Sequence, residues 1–146
     1  MRHVLAVALG VALLAGCGGG GSKPLTRQEY ASKADAICSK YNAKVKALGT
    51  PSNLSDLTKV ADETLPIIDD AIAELKKLKP PADEKGVASQ WLVQVQALAD
   101  DLRDLRDKAK ANDMQAIQGI LPKAQVHTTR SNQLASQLGM TVCNSS

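Results

Sequence analysis

Aromatic residues are scarce. Phe is absent, and Tyr30, Tyr41 and Trp91 are the whole aromatic complement of 146 residues. β-Sandwiches and barrels draw on aromatic and β-branched residues, whereas this chain is built on Ala and Leu, so an all-β fold is disfavoured. Binding of single-stranded nucleic acid, which stacks bases on aromatic platforms in a basic groove, is disfavoured on the same ground. Charge of one sign is also lacking: the formal net charge is +3 with 23% charged residues, too balanced for a wholly disordered chain or a duplex-binding surface. No apolar run reaches the roughly 20 residues that cross a bilayer; the longest spans residues 4–15 and is broken only by Gly10. No nucleophile elbow, phosphate-binding loop, Cys-x-x-Cys pair or Ser/His/Asp arrangement is present. The length suits one compact domain of about 100–200 residues.

What is present begins at the N-terminus. Arg2 and the terminal amine precede the short apolar run, and small residues follow it, which is the layout of a secretory signal peptide. The small residues read Leu14-Ala15-Gly16-Cys17, and this tetrapeptide resembles the lipobox of bacterial lipoproteins. The resemblance implies a diacylglycerol group on the Cys17 sulfur, cleavage between Gly16 and Cys17 by signal peptidase II, and further acylation, for instance by palmitate. It implies an extracytoplasmic protein held by lipid to the bacterial cell membrane, or to the outer membrane in a diderm organism. Two or more acyl chains make a stable anchor where one is marginal. The alternative is an ordinary secretory leader with an incidental cysteine. Loss of residues 1–16 leaves 130 residues, with 17 Lys and Arg against 15 Asp and Glu.

Residues 17–25 then form the lipidated cysteine and a Gly-rich tether, Gly18 to Gly21 with Ser22, Lys23 and Pro24. A flexible coil of that length reaches roughly 15–18 Å. With Cys17 assigned to lipid, Cys38 and Cys143 remain, and an oxidising compartment favours a disulfide between them. Such a bridge closes a loop of about a hundred residues, for which chain entropy gives ~4.7 kcal/mol. The alternative is two buried thiols. Metal binding needs more ligands than this pair supplies.

Residues 26–146 read as an all-α domain of four helices. Thr26-Arg27-Gln28-Glu29 is a capping box, and Tyr30, Ala34, Ile37, Cys38, Tyr41, Val45 and Leu48 make one apolar face before Gly49 and Pro51 stop the helix. The second helix runs from about Asn53 to Leu78 on the stripe Leu57, Ala61, Leu65, Ile68, Ile72, Leu75 and Leu78; Pro66 should kink or split it. The third carries Ala88, Trp91, Val95, Leu98, Leu102, Leu105 and Ala109, a strict alternation of three and four that favours left-handed packing near +20°. Asn112-Asp113 is the next turn, with Asp113 as N-cap. The fourth runs from about Met114 to Leu138 through Ile117, Leu121, Ala124, Thr128, Ala135 and Leu138. Pro122 should bend it early, and Gly139 followed by Met140 should end it in a Schellman motif. Short connections then predict an antiparallel up-down-up-down four-helix bundle with one disulfide and with helices two and four kinked by proline.

A second resemblance spans most of this domain. Ala34-Asp35-Ala36-Ile37-Cys38, Pro80-Pro81-Ala82 ahead of Trp91-Leu92, and the segment from Gly139 to Cys143 resemble a group of small exported helical lipoproteins of actinobacterial type. The resemblance implies the bundle and the disulfide and supplies no activity. The chain departs from that group in having no Phe and in reading Cys38-Ser39-Lys40-Tyr41-Asn42.

Candidate chemistry is thin. His127, at the edge of the fourth helix's apolar arc, could act as base or ligand or as a hydrogen-bonded boundary residue. The four stripes hold no carboxylate for a metal site in the bundle interior, and no metal or cofactor is expected. Asp100, Asp104 and Asp107 lie opposite Leu102 and Leu105, where Arg103 can pair with Asp100 and Asp107. Lys33, Lys40 and Lys44 cluster beside the first helix's stripe, either touching anionic headgroups or snorkelling over the core. Tyr41 and Trp91 read as core. Together with His127 they are the candidate lining of an apolar pocket, if the two prolines splay their helices. The expectation is a monomeric, non-enzymatic binding or interaction module of the cell envelope. Its partners are membrane lipid through Cys17 and an envelope protein, with no nucleic acid. A carrier or sensor of a small apolar ligand is the first alternative, and an enzyme of unrecognised chemistry the second.

Overall fold

Thr26 starts the first helix as the sequence predicts. Its backbone N–H donates to Glu29 Oε2 at 2.8 Å while the Glu29 N–H donates back to Thr26 Oγ1 at 3.3 Å, so each side chain satisfies the other residue's otherwise unpaired N–H. The structure, a computed structural model, describes residues 23–145. They form α1 (Arg27–Lys46), α2 (Leu54–Leu75), α3 (Lys85–Lys110) and α4 (Met114–Gln137), with no strand among the described residues. None of these helices is long and apolar enough to cross a membrane. The leader, the Gly16–Cys17 cleavage point and most of the tether lie outside the described residues.

The helix ends follow local chemistry. Asn53 caps α2 by accepting from the Asp56 N–H at 2.9 Å, and Asp113 caps α4 by accepting from the Ala116 N–H at 3.0 Å. Between α3 and α4 the chain turns within three residues. Asn112 takes φ +52°, a left-handed conformation that Asn tolerates. The Asp113 N–H then closes onto Lys108 O at 2.9 Å, so one aspartate ends a helix and caps the next. At the end of α4, Gly139 has φ +79°. The Gly139 and Met140 N–H groups both bond back, to Ser136 O and Ala135 O at 3.0 Å, which completes the Schellman stop.

Neighbours in sequence are neighbours in space: α1 packs on α2, and α3 is flanked by α2 and α4. The largest fully buried side chains are Trp91, Tyr30, Leu134, Leu138 and Met140. Their cluster draws on the first half of α1, Leu75 at the end of α2, Ala88 and Trp91 at the start of α3, and the end of α4 with Met140 and Cys143. All three aromatics are buried, as the stripes predict.

The inward face of α4 differs from its expected one. Leu121 is 54% exposed, while Ile120, Ser131 and Leu134 are buried. The face that packs reads Ile117, Ile120, Ala124, His127, Ser131, Leu134 and Leu138, again three and four apart. Two polar members, His127 and Ser131, conceal this repeat from a count of apolar residues. Both α2 and α4 continue as helix through Pro66 and Pro122, so neither is split.

Candidate functional site

α1 carries two fastenings for the C-terminal segment on one face. Asp35 and Cys38 are three apart and therefore adjacent on the helix surface. Cys38 is joined to Cys143 across 105 residues, with Cα atoms 5.5 Å apart, so the expected disulfide is present. Asp35 does the rest. Its Oδ2 accepts from the Thr141 N–H at 2.8 Å and the Thr141 hydroxyl at 2.9 Å, and its Oδ1 from the Val142 and Cys143 N–H groups at 2.9 and 3.0 Å. Three successive backbone N–H groups around one carboxylate make an anion-binding nest whose anion is supplied by the chain itself.

Partial burial pushes the Asp35 carboxyl up, but the donors from Cys143, Thr141 and Val142 outweigh it and hold the group below its ordinary value. A carboxylate with a lowered folded-state pKa contributes stability that is complete above the ordinary carboxylate range. That contribution is lost as pH falls through the folded value. Asp35→Asn is therefore expected to loosen residues 141–143 at neutral pH and to flatten the acid dependence of their order. Amide hydrogen exchange at Thr141, Val142 and Cys143 measures both effects; unchanged protection in the variant would refute the role.

Sequence reasoning gave Asp35 no task, although it lies within the Ala34 to Cys38 stretch. An acid three residues before a bridging cysteine was the available signal.

The three residues predicted to line an apolar pocket have other engagements. The Tyr41 hydroxyl donates to Glu74 Oε1 at 2.8 Å, and Lys40 pairs with the same oxygen at 2.7 Å. Hydrogen bonds from Lys40 and then Tyr41 hold the Glu74 carboxyl below its ordinary range. Lys40 and Lys44 each lie 4.7 Å from the centre of the Tyr41 ring, close enough for cation–π attraction. Two lysines considered for headgroup contact are thus folded onto α1 and α2. Trp91 is buried in the core, and its indole N–H has no partner among the described residues. The His127 Nδ1–H donates to Asp101 Oδ2 at 2.6 Å, which links α4 to α3 on the inward face.

The surface depressions are lined by other residues. One of about 620 Å³ lies between the start of α1 (Arg27, Ala31, Asp35) and the C-terminal segment (Leu138, Thr141, Val142). Another of about 540 Å³ lies between the start of α2 (Leu54, Thr58, Asp62) and the end of α3 (Ala109, Lys110). Neither is lined by α2 and α4 together.

The arginines of the acidic run on α3 pair both within the helix and across to α2. Arg103 pairs with Asp100, as expected, but its second partner is Asp69 of α2 in place of Asp107. Arg106 takes Asp107 and Asp62. Among the described residues no three His, Cys, Asp or Glu side chains converge as metal ligands would.

No family model matches the chain, and no curated protein or solved structure matches it.

Proposed function

We propose that the protein is a lipid-anchored, extracytoplasmic lipoprotein whose helical domain serves as a monomeric, non-enzymatic binding or interaction module of the cell envelope. One observation carries the reading. The tetrapeptide Leu14-Ala15-Gly16-Cys17 closes a charged, short apolar leader, and its cysteine is the one of three that stands outside the Cys38–Cys143 bridge. The bridge supports export, because disulfides persist in oxidising compartments. Anchorage uses the Cys17 sulfur. The protein face then available for recognition is aliphatic and charged, since every aromatic ring is buried.

The same proposal takes the four helices to run alternately up and down. Asp69 pairs with Arg103, whereas Asp62, earlier on α2, pairs with Arg106 and Lys110, later on α3; pairs that run in opposite order, and short connections such as the three residues between α3 and α4, belong to antiparallel bundles. It also takes α2 and α4 to bend at Pro66 and Pro122, each of which removes the backbone donor for the carbonyl four residues earlier. Both prolines are exposed, where water can replace that donor.

Replacement of the anchor cysteine, Cys17→Ser, is expected to abolish incorporation of labelled fatty acid and to release the protein from the membrane fraction. A variant that still takes up label, or that the membrane retains as fully as the parent, would overturn the reading.

A further inference from the structure

Five exposed lysines and one arginine gather where the chain enters the domain. The Leu25 N–H donates to Lys79 O at 3.0 Å, which lays residues 23–25 along the connection between α2 and α3. Arg27 pairs with Glu84 at 3.3 Å on the far side of that connection. These two contacts hold Lys23 and Arg27 against the connection that carries Lys76, Lys77, Lys79 and Lys85. The acids at the same end are Glu29, Asp83 and Glu84, and the nearby Glu74 is occupied by Lys40. Among the described residues Lys23, Lys76, Lys77, Lys79 and Lys85 make no ion pair, although all are exposed. At the turn between α3 and α4 the cations are neutralised in place: Arg106 pairs with Asp107, Lys108 with Asp113 and Lys110 with Asp62. Beneath the free lysines, Pro24, Leu78 and Pro80 floor a depression of about 400 Å³ rimmed by Lys79 and Lys85.

We propose that this end of the domain, Lys23 with Lys76, Lys77, Lys79 and Lys85 over Pro24 and Leu78, docks on the anionic headgroups of a membrane surface. The inference rests on the anchor reading for its geometry. Lys23 stands six positions after Cys17, a stretch that spans at most about 22 Å, so an anchored Cys17 keeps the lysine end close to the bilayer. Charge supplies the attraction, at about a fivefold bias per lysine near an anionic surface, decaying within a Debye length. The apolar floor suits the interface, where side chains with polar tips and apolar stems settle. The surface orients the domain, so that the turn between α3 and α4 faces away from the membrane.

The test uses the full chain purified from membranes and reconstituted into vesicles of phosphatidylcholine, with or without phosphatidylglycerol. Sparse acetylation with mass spectrometry reads the reactivity of each lysine. Lys76, Lys77, Lys79 and Lys85 are expected to react about fivefold more slowly on the anionic vesicles, the protection fading at high salt, while Lys59, Lys108 and Lys110 are unchanged. The double variant Lys77→Glu with Lys79→Glu, at two exposed positions, is expected to restore the reactivity of Lys76 and Lys85. Equal rates on both vesicles overturn the proposal. So does protection found in native membranes and missing from protein-free anionic vesicles, which would assign the patch to a protein partner. The same digest reads the mass of the Cys17 peptide. An unmodified Cys17 removes the anchor, while the lysine rates still decide whether the patch binds anionic lipid.

Discussion

Replacing Cys38 and Cys143 together by serine is expected to lower the stability of the folded domain by about 2–5 kcal/mol. The bridge spans 105 residues, and the entropy withheld from the unfolded chain grows with the length of the closed loop, reaching ~4.7 kcal/mol for a loop of about a hundred residues. Against a total stability of about 5–15 kcal/mol for an ordinary domain, that is a large share. Serine at both positions removes the covalent link and leaves the Asp35 hydrogen bonds available, so the loss reports the bridge. Chemical unfolding of the parent with and without reductant, beside the double variant, measures it. The reduced parent and the variant should coincide at a lower midpoint. The denaturant slope should steepen, because an uncrosslinked unfolded chain exposes more surface. An unchanged midpoint on reduction would mean that the bridge constrains nothing the fold does not already constrain.

Trp91→Ala is expected to cost about 3–5 kcal/mol, and Trp91→Phe less than half of that. The residue is 1% exposed in a cluster that includes Tyr30, Leu134, Leu138 and Met140, where truncation to alanine loses both transfer energy and packing. Phenylalanine restores most of the volume. It also deletes an indole N–H that is buried without a partner among the described residues, a group whose desolvation costs about 1–3 kcal/mol. The relief offsets part of the smaller ring's cavity. Circular dichroism is the appropriate probe, since Trp91 is the only tryptophan and its emission is lost in both variants. If phenylalanine proves as damaging as alanine, the indole N–H is bonded in the folded protein and this account of Trp91 fails.

Local chemistry was legible in the sequence wherever a residue acts on its near neighbours. Thr26, Asn53, Asp113 and Gly139 mark the helix ends they were expected to mark, because capping depends on side chains within three or four positions. The third helix was legible for a different reason: its stripe is purely apolar from Ala88 to Ala109. The fourth packs one position away from its apolar stripe at Leu121, since the face that packs includes His127 and Ser131. Asp101 of α3 meets the polarity of His127 there. Contacts across long separations left little local trace. For Asp35 the one trace is Cys38, three residues on and bridged to the same segment, and nothing near Arg103 selects Asp69 over Asp107. The lysines that gather at the entry of the chain were hidden likewise. Lys23 and Lys79 become neighbours only through a backbone bond between residues far apart in sequence, while the sequence cluster Lys33, Lys40 and Lys44 is drawn largely onto Tyr41 and Glu74.

The Cys38–Cys143 bond has a further consequence for the fate of a damaged molecule. Exposed connections are where proteases cut, and the turns at residues 47–53 and 111–113 both fall inside the covalent ring. A single cut at either place breaks the polypeptide without releasing a fragment. The pieces stay tied at high effective concentration, and the molecule keeps its mass until a reductant opens the ring. In an oxidising surrounding, one nick within the ring therefore releases nothing, and freeing a segment takes a second cut within the ring or reduction of the bond.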